Sequence, residues 1–235
     1  MTPTSRRPPA APGRAVQPAA EDCLKAVYAA GEWSSDKVTL SMLARQLGVS
    51  PSTASEAVRK LTDAGLLEHE RYGGVALTED GRRHALAVVR RHRLLETFLV
   101  TDLGYAWDEV HEEAEVLEHA VSERFLAALD DRLGHPERDP HGDPIPRQDG
   151  SVPQPGAHSL ADVPVGSAGV VARISDADPE VLRYFAELGL GLDVRLDVLR
   201  RREFAGTTVV RIGGGDEVDL GDPAVASVWV LPAGH

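Results

Sequence analysis

Residues 39 to 65 read TLSMLARQLGVSPSTASEAVRKLTDAG, a stretch that predicts two short helices joined by a tight turn. Thr39 is placed to cap the first helix, and Gly48 is placed to end it in a left-handed conformation. Ser50 is placed to cap the second helix, whose first position is Pro51, where the fixed φ of proline suits a helix start. Apolar residues at helical spacing give each helix one inward face. The stretch therefore predicts a helix-turn-helix.

Two short strands are predicted after the second helix. Residues 66–71 and 75–77 are separated by Gly73 and Gly74, a pattern typical of a hairpin. An amphipathic helix, predicted from Glu21 to about Gly31, precedes the helix-turn-helix. Together these elements predict a winged helix-turn-helix.

The outer face of the second helix carries short polar side chains near its N-terminus, where they can approach base edges in a DNA major groove. Basic residues on this helix and on the wing are expected to contact phosphates. A helix-turn-helix also occurs as a plain structural unit, but the adjacent wing and a local positive charge favour DNA binding. The predicted DNA-binding residues are Ser50, Ser52, Thr53, Ser55, Glu56, Arg59 and Arg71.

The overall charge conceals a basic region. The chain has 235 residues and a net charge of -12, which by itself argues against a nucleic-acid partner. Between Lys37 and Arg93, however, ten Lys and Arg residues outnumber six Asp and Glu residues, a local charge of +4. The excess acidity therefore lies in the rest of the chain, notably in the glutamate-rich segment that follows Arg93.

Composition restricts the class of protein. One cysteine, Cys23, cannot form an intrachain disulfide framework or a four-cysteine zinc site, which fits a reducing, intracellular setting. No apolar run reaches the roughly 20 residues of a membrane-spanning helix, and the N-terminus lacks a signal-peptide pattern. We therefore expect a cytoplasmic protein without membrane association, in which Cys23 is a small helix residue.

The remaining chain divides into a helical part and a β-rich part. Helices are predicted from Thr78 to Val100 and from Trp107 to about Leu133, and residues 134–156 are rich in proline and glycine, as in a linker. Four valine-rich strands and a helix at residues 179–188 then predict a small SH3-like β-barrel. The expected α+β multidomain chain comprises a disordered arm (1–19), a winged helix-turn-helix DNA-binding domain (20–84), a helical metal-binding and dimerisation domain (85–146), a linker (147–159) and an SH3-like domain (160–235).

One stripe of a predicted helix carries two histidines and two glutamates, at relative positions 0, +4, +7 and +8. At about 100° per residue these side chains converge, and they offer the donor atoms of a metal site. The preceding helix repeats the i, i+4 spacing with a histidine and a glutamate, so two antiparallel helices can pool five or six ligands. The candidate ligands are His111, Glu115, Glu118, His119, His92 and Glu96.

The ligand types indicate which metal is bound. Carboxylates and imidazoles without a thiolate suit Mn²⁺ or Fe²⁺ in near-octahedral geometry better than a closed tetrahedral zinc site, and the oxygen-rich set favours Mn²⁺. A metal-dependent hydrolase is an alternative, because such a cluster can also polarise water. The spacing is not the HExxH of metalloproteases and no separate nucleophile or general base is marked, so catalysis is the less favoured interpretation.

At these motifs the chain resembles the diphtheria toxin repressor and manganese repressor group of metal-dependent regulators. The resemblance covers residues 20–146 and rests on RRHRLLE at 90–96, HEEAEVLEH at 111–119 and DPIP at 143–146. More weakly, residues 160–231 are similar to the FeoA-type variant of the SH3-like domain. The resemblance implies a metal-activated repressor of transcription.

The same resemblance implies two metal sites. The regulatory site uses the positions that match Asp22, Glu115, Glu118 and His119. The ancillary site uses the positions that match His92, Glu96 and His111. In some members a side chain from the SH3-like domain completes the ancillary site, for which the candidates are Asp176, Asp178 and Glu180.

Two matched positions bear on the choice of metal. Iron-responsive members carry Met at the position of Asp22 and Cys at the position of Glu115, whereas manganese-responsive members carry the acidic pair. Oxygen ligands in place of sulfur favour Mn²⁺, with Fe²⁺ as the alternative. Lys25 stands where some manganese repressors have a Glu that bridges two metals, so a close binuclear cluster of that kind is not expected.

The implied function is manganese-dependent repression of metal-uptake genes by a homodimer on a palindromic DNA operator. In the implied mechanism, metal ties the first helix to the dimer-forming helix and thereby sets the angle between two recognition helices. Both helices then match half-sites about one DNA turn apart, or a multiple of it.

Overall fold

A computed structural model describes residues 17–33, 36–69 and 74–233 of the chain. The chain forms two compact units, the first up to Val88 and the second from Val89 onward. Among the described residues, no helix has both the length and the apolar character needed to cross a membrane. The arm predicted for residues 1–19 lies outside the described residues except for its last three, and helix α1 already begins at Pro18.

The first unit contains the winged helix-turn-helix. Thr39 caps α2 by accepting a hydrogen bond from the Met42 amide at 3.2 Å, and Ser50 caps α3 through the Thr53 amide at 3.2 Å. Gly48 ends α2 with φ at +62°, as predicted from the sequence. The elements are α1 (Pro18–Trp33), α2 (Leu40–Gln46), α3 (Pro51–Asp63), β1 (Leu67–His69) and β2 (Val75–Leu77), with the two strands antiparallel.

Three helices follow the wing: α4 (Glu79–Leu103), α5 (Val110–Leu117) and α6 (Glu123–Leu133). The prediction of one helix from Trp107 to Leu133 is therefore wrong. The chain breaks because Ser122 is extended, with φ at -87° and ψ at 156°, and its hydroxyl caps α6 by accepting from the Phe125 amide. As a result, Glu118 and His119 lie in the turn after α5 rather than on a continuous helical stripe.

The C-terminal domain is an antiparallel six-stranded sheet in the order β3-β8-β4-β5-β6-β7. Its core contains Leu160, Ile174 and Phe185, all fully buried. The two-residue β3 and the strand β7 are the sheet edges, and among the described residues they do not pair, so the predicted closed barrel is an open SH3-like sheet. The elements are β3 (His158–Ser159), β4 (Ala168–Ile174), α7 (Pro179–Glu187), β5 (Arg195–Arg202), β6 (Thr207–Ile212), β7 (Glu217–Gly221), α8 (Asp222–Ala226) and β8 (Val228–Pro232).

The first half of the segment predicted as a linker is packed into the second unit. Residues 141–146 are buried, whereas residues 147–149 are exposed. Arg93 donates to the Pro144 carbonyl at 2.7 Å and to the Asp143 carboxylate at 3.0 Å, and Arg173 of β4 donates to the same carboxylate at 2.6 Å. Two buried cations on one carboxylate hold this segment against both α4 and the sheet. Proline and glycine content did not reveal this because it reports the absence of regular structure, not exposure.

Candidate metal centre and nucleic-acid interface

Helix α4 places His92 and Glu96 one turn apart on a face that is almost completely buried. The His92 Nε2 atom lies 2.9 Å from Glu96 Oε1 and 3.2 Å from Nδ1 of His111, which α5 supplies. His111 Nδ1 is in turn 3.3 Å from Glu96 Oε1. The structure thus brings together the three side chains that the sequence assigned to the ancillary site.

A fourth donor comes from the C-terminal domain. Asp176, just after β4, places Oδ2 3.0 Å from His111 Nδ1. Asp178 instead caps α7 by accepting from the Glu180 amide at 2.9 Å, and both of these residues are exposed. Of the three acidic candidates in this domain, Asp176 faces the histidines. We call His92, Glu96, His111 and Asp176 the ancillary cluster.

The ancillary cluster has the spacing of a divalent-cation site. Donor atoms that lie about 2.1 Å from a common ion and at right angles to one another are about 3 Å apart. The closest donor pairs in the cluster are separated by 2.9 to 3.3 Å. The carboxylates of Glu96 and Asp176 both face His111 Nδ1, which carries at most one hydrogen to share between them. Two imidazoles and the Glu96 carboxylate therefore converge with the spacing of a hard divalent cation, and Asp176 adds a second carboxylate beside His111.

The carboxylates set the charge of His111 when it is not bound to metal. Burial lowers the pKa of His111, but hydrogen bonds to Asp176, Glu115 and Glu96 outweigh burial and raise that pKa to about 12. For Glu96, burial favours a higher pKa, yet the neighbouring His92 and His111 hold it well below its ordinary value. A cation that enters the cluster must therefore displace a proton from His111.

A deeper group shares Glu96 with the ancillary cluster. Glu96, Asp139 and His141 are all buried and bring donor atoms within 4.8 Å of one another. His141 Nε2 lies 2.7 Å from the Trp107 carbonyl, which can only accept, so Nε2 carries a hydrogen and Nδ1 presents a lone pair when the ring is neutral. Burial, with the charges of Asp143 and Glu96, raises the pKa of Asp139 to about 8. The sequence interpretation missed Asp139 and His141 because they fall in the segment taken as a linker; the available signal was DPHGDP at residues 139–144, which overlaps the DPIP motif.

The residues assigned to the regulatory site are placed differently. Glu118 is fully buried, with Oε2 2.6 Å from His92 Nδ1 and Oε1 3.5 Å from His119 Nε2. Glu115 on α5 is more than half exposed and lies 3.5 Å from His111 Nε2. Its carboxylate is not part of the converging donor groups formed by the described residues. Within the second unit, Glu118 and His119 are the two residues expected at this site whose donor atoms lie close together.

Helix α1 of the first unit carries Asp22, which is half-buried. Its neighbour Cys23 is fully buried, and burial together with the charge of Asp22 raises the pKa of the thiol to about 11. A thiol with that pKa carries almost no thiolate at neutral pH and is not a reactive nucleophile. The interpretation of Cys23 as a small helix residue agrees with its burial.

The predicted DNA-contacting face of α3 is exposed, while Ala54, Val58 and Leu61 on the opposite face are buried. The Ser50 hydroxyl lies 2.8 Å from the hydroxyls of both Ser52 and Thr53, so these groups form one polar cluster at the helix start. The exposed residues are Ser50, Ser52, Thr53, Ser55, Glu56 and Arg59. Arg71 of the wing lies outside the described residues.

Two arginines counted in the basic region face the protein interior. Arg90 pairs with Asp130 at 2.7 Å, and Arg93 is buried against Asp143. These cations hold the fold of the second unit and are not free to contact phosphates. The positive charge available to DNA is therefore smaller than the local count of residues suggested.

Comparison with known families covers nearly the whole chain. Residues 16–75 match the N-terminal DNA binding domain of iron dependent repressors, and residues 78–147 match their metal binding and dimerisation domain. Residues 158–232 match the FeoA domain. The iron-dependent repressor IdeR of Mycobacterium tuberculosis (strain ATCC 25618 / H37Rv) is 35% identical over 190 residues, which cover 76% of this chain and 82% of that protein.

Solved structures are similar over the same extent. A manganese-dependent transcriptional repressor in complex with manganese is 60% identical, with a TM-score of 0.88 over 91% of this chain and 100% of that one. The manganese regulator SloR is 31% identical, with a TM-score of 0.79 over 93% of this chain and 100% of that one. The likeness thus includes the DNA-binding, helical and C-terminal domains together.

Proposed function

Because the chain belongs to the iron-dependent repressor family, whose members are DNA-binding repressors of transcription, we propose that it is a manganese-responsive repressor of metal-uptake genes. The family contains repressors rather than enzymes, so the hydrolase alternative is set aside. A repressor of this kind acts on DNA in the cytoplasm.

The ancillary cluster is the observation that carries the choice of metal. Two carboxylates and two imidazoles, without sulfur, suit Mn²⁺ best and Fe²⁺ next. The oxygen ligands at Asp22 and Glu115 add to that preference, since sulfur at those positions accompanies iron in the resemblance described above. The manganese-bound relative supports the same choice. The iron-dependent name of IdeR keeps Fe²⁺ as the second candidate.

We assign a regulatory site to Asp22, Glu115, Glu118 and His119, and an ancillary site to the ancillary cluster. A bound cation supplies the positive charge that lets several carboxylates share one centre. Glu118 is fixed in position as a metal ligand because it is buried and its Oε2 atom lies 2.6 Å from His92 Nδ1. The assignment of Asp22 rests on the resemblance in sequence. It makes α1 responsive to metal, and α1 belongs to the same unit as the recognition helix α3.

A homodimer on a palindromic operator completes the proposal. Large apolar side chains are exposed on the helical part of the second unit, at Leu103, Val116 and Phe125. Exposed apolar residues on a domain whose family is named for dimerisation support a self-complementary interface. Two copies of α3 related by twofold symmetry would match half-sites one helical turn apart, or a multiple of it.

The test selects DNA duplexes from a random pool with manganese-loaded protein, and then measures their binding by fluorescence anisotropy. We expect tight binding with Mn²⁺, weaker or higher-threshold activation with Fe²⁺ under anaerobic conditions, and loss of binding in a chelator. Full-strength binding by metal-free protein would refute the metal switch. A lower activating concentration for Fe²⁺ than for Mn²⁺ would instead assign the chain to iron.

A further inference from the structure

We propose that Glu56 and Lys60 of α3 together recognise one C·G base pair in each half of the operator, with Glu56 as the residue that selects cytosine. The inference rests on the proposed function, because it names a base that the recognition helix requires. Its basis is an acidic side chain on the face of α3 that is expected to enter the major groove.

Glu56 points away from the protein on the outer face of α3. Ala54, Val58 and Leu61 are buried on the inward face of this helix. At about 100° per residue, Glu56 lies roughly opposite the middle of that buried face, and its side chain is exposed. It stands in the second turn after the N-cap Ser50, in the half of a recognition helix that reaches base edges. Glu56 is therefore placed to meet bases.

Lys60 follows Glu56 by one helical turn, and the two side chains form an ion pair. Lys60 Nζ lies 2.8 Å from Glu56 Oε1. The hydrogen bond from Lys60 and its positive charge hold the pKa of Glu56 below its ordinary value, so the carboxylate stays ionised. Glu56 therefore presents only acceptors, and Lys60 presents only donors. Exposed ion pairs of this spacing contribute little to stability, so stability alone does not explain a carboxylate on this face.

The donors and acceptors of the major groove decide which base suits this pair. A carboxylate needs a donor, which only the amino groups of cytosine and adenine supply there. On adenine the amino group stands beside the N7 acceptor, whose lone pair opposes a carboxylate, whereas cytosine presents its amino group without an adjacent acceptor. The guanine paired with that cytosine presents O6 and N7, which suit the ammonium group of Lys60.

The spacing of the ion pair matches that of a C·G pair. The cytosine amino group and guanine O6 are hydrogen-bonded to each other, so they lie about 3 Å apart. This separation is close to the 2.8 Å between Glu56 Oε1 and Lys60 Nζ. Each side chain can therefore contact one base of the pair. Facing guanine, thymine or a phosphate, the same carboxylate meets only acceptors and weakens binding, so Glu56 also acts against other sequences.

The test selects duplexes from a random pool with three full-length, Mn²⁺-loaded proteins: the unaltered chain, Glu56→Gln and Asp63→Asn. The glutamine amide both donates and accepts, which suits N6 and N7 of adenine. We expect the unaltered protein to select C·G at one position of each half-site, and Glu56→Gln to select adenine in place of that cytosine. Asp63→Asn is the matched control, because it removes one negative charge at the other end of α3 and should select the unaltered motif.

Fluorescence anisotropy then compares duplexes that differ only at this base pair. Replacing C·G by A·T should weaken binding of the unaltered protein about tenfold or more, and Glu56→Gln should reverse that order. Duplexes without the motif should bind Glu56→Gln as tightly or more tightly, because a charge that phosphates repel has been removed. Selection of one motif by both proteins, or equal affinities of the unaltered protein for the two duplexes, would overturn the proposal.

Lys60→Ala tests the second half of the ion pair. It should reduce the preference for C·G over the other base pairs at the same position, since the donor that faces guanine is lost. A loss of affinity that is equal for all four base pairs would assign Lys60 to a phosphate and overturn its part in the recognition. All substituted positions are exposed, so each variant should bind Mn²⁺ as the unaltered protein does.

The outcomes also distinguish this inference from the proposed function. A change of the selected base by Glu56→Gln, in a protein that binds its operator equally well without Mn²⁺, would remove the metal switch and leave the base recognition intact. Mn²⁺-dependent binding with the same selected motif for both proteins would remove the role of Glu56 alone.

Discussion

Asp176 Oδ2 lies 3.0 Å from Nδ1 of His111, so a residue of the C-terminal domain contacts a histidine of the helical domain. This contact makes the C-terminal domain a contributor to the ancillary cluster. The packed segment 141–146 supports this contact, because the backbone amide of Ile174 at the end of β4 donates to the His141 carbonyl at 2.8 Å.

The contribution of Asp176 to metal binding can be tested by comparing it with Asp178, an acidic residue two positions along the chain. Asp176→Asn replaces a charged oxygen ligand by a neutral amide, and we expect Mn²⁺ affinity at the ancillary cluster to fall at least about tenfold. Asp178→Asn is the matched control, because asparagine can still cap α7 and the side chain is exposed outside the cluster. Equal losses in the two variants, measured by isothermal titration calorimetry, would exclude Asp176 as a ligand.

Metal binding at the ancillary cluster should release a proton. In the metal-free protein the pKa of His111 is raised to about 12, so its ring is charged at neutral pH and the cation must displace that proton. Raising the pH removes the competing proton and strengthens binding, by up to about tenfold per pH unit for one proton. Calorimetry in two buffers of different ionisation enthalpy, between pH 6 and 8.5, measures the protons released. A pH-independent affinity without proton release would show that His111 is not a ligand.

The packed part of the 134–156 segment should be intolerant of a side chain at Gly142. This glycine has φ at +87°, and a Cβ atom there would meet the backbone oxygen of Ala172. We expect Gly142→Ala to lower the free energy of unfolding by more than about 2 kcal/mol, since left-handed strain alone costs about 1 to 2 kcal/mol and the clash adds to it. Weaker Mn²⁺ binding should accompany it, because the sheet that holds Asp176 is displaced.

Gly150→Ala is the control for that substitution. Its φ is +81°, but the added Cβ meets nothing within 4 Å, so only the backbone strain of about 1 to 2 kcal/mol is expected. Thermal unfolding monitored by circular dichroism compares the two variants. A Gly142→Ala protein as stable as Gly150→Ala would mean that the 141–146 segment does not hold the sheet in place.

A charged substitution can test whether the exposed face of α3 contacts DNA. Ser55→Glu adds a negative charge at an exposed position that is expected to face DNA, and operator affinity should fall about tenfold or more through repulsion by phosphate. Gln148→Glu makes the same change in net charge at an exposed position outside α3. Anisotropy titrations at two salt concentrations measure both variants, and metal binding should be unchanged in each. A similar loss of affinity in both would assign the effect to net charge rather than to the face of α3.

The helix-turn-helix was predictable in detail because its signals are local. Thr39 and Ser50 cap helices within three residues of themselves, and Gly48 takes up a left-handed conformation where the first helix ends. The pairing of His92 with Glu96 follows equally from one turn of helix. Such features need no knowledge of the rest of the fold.

The single long helix predicted for residues 107–133 failed for a different reason. Its apolar spacing continues across Ser122, but the turn at residues 118–120 and the extended conformation of Ser122 divide α5 from α6. The prediction of a polar stripe therefore named residues that do lie near one another, but it was wrong to place them all on one continuous helix. Glu118 meets His92 from a turn, not from a helical face.

The sequence by itself determined the winged helix-turn-helix, the repeated His and Glu spacing and the absence of sulfur among the proposed ligands. Only the tertiary structure decided that Asp176 rather than Asp178 faces His111, that Asp139 and His141 are buried beside Glu96, and that His92 contacts Glu118. The physical reason is the distance along the sequence over which each kind of interaction acts. Caps and helical spacing depend on neighbours a few residues away, whereas donor atoms in contact come from segments as far as 65 residues apart, as Asp176 and His111 are, and meet only through packing.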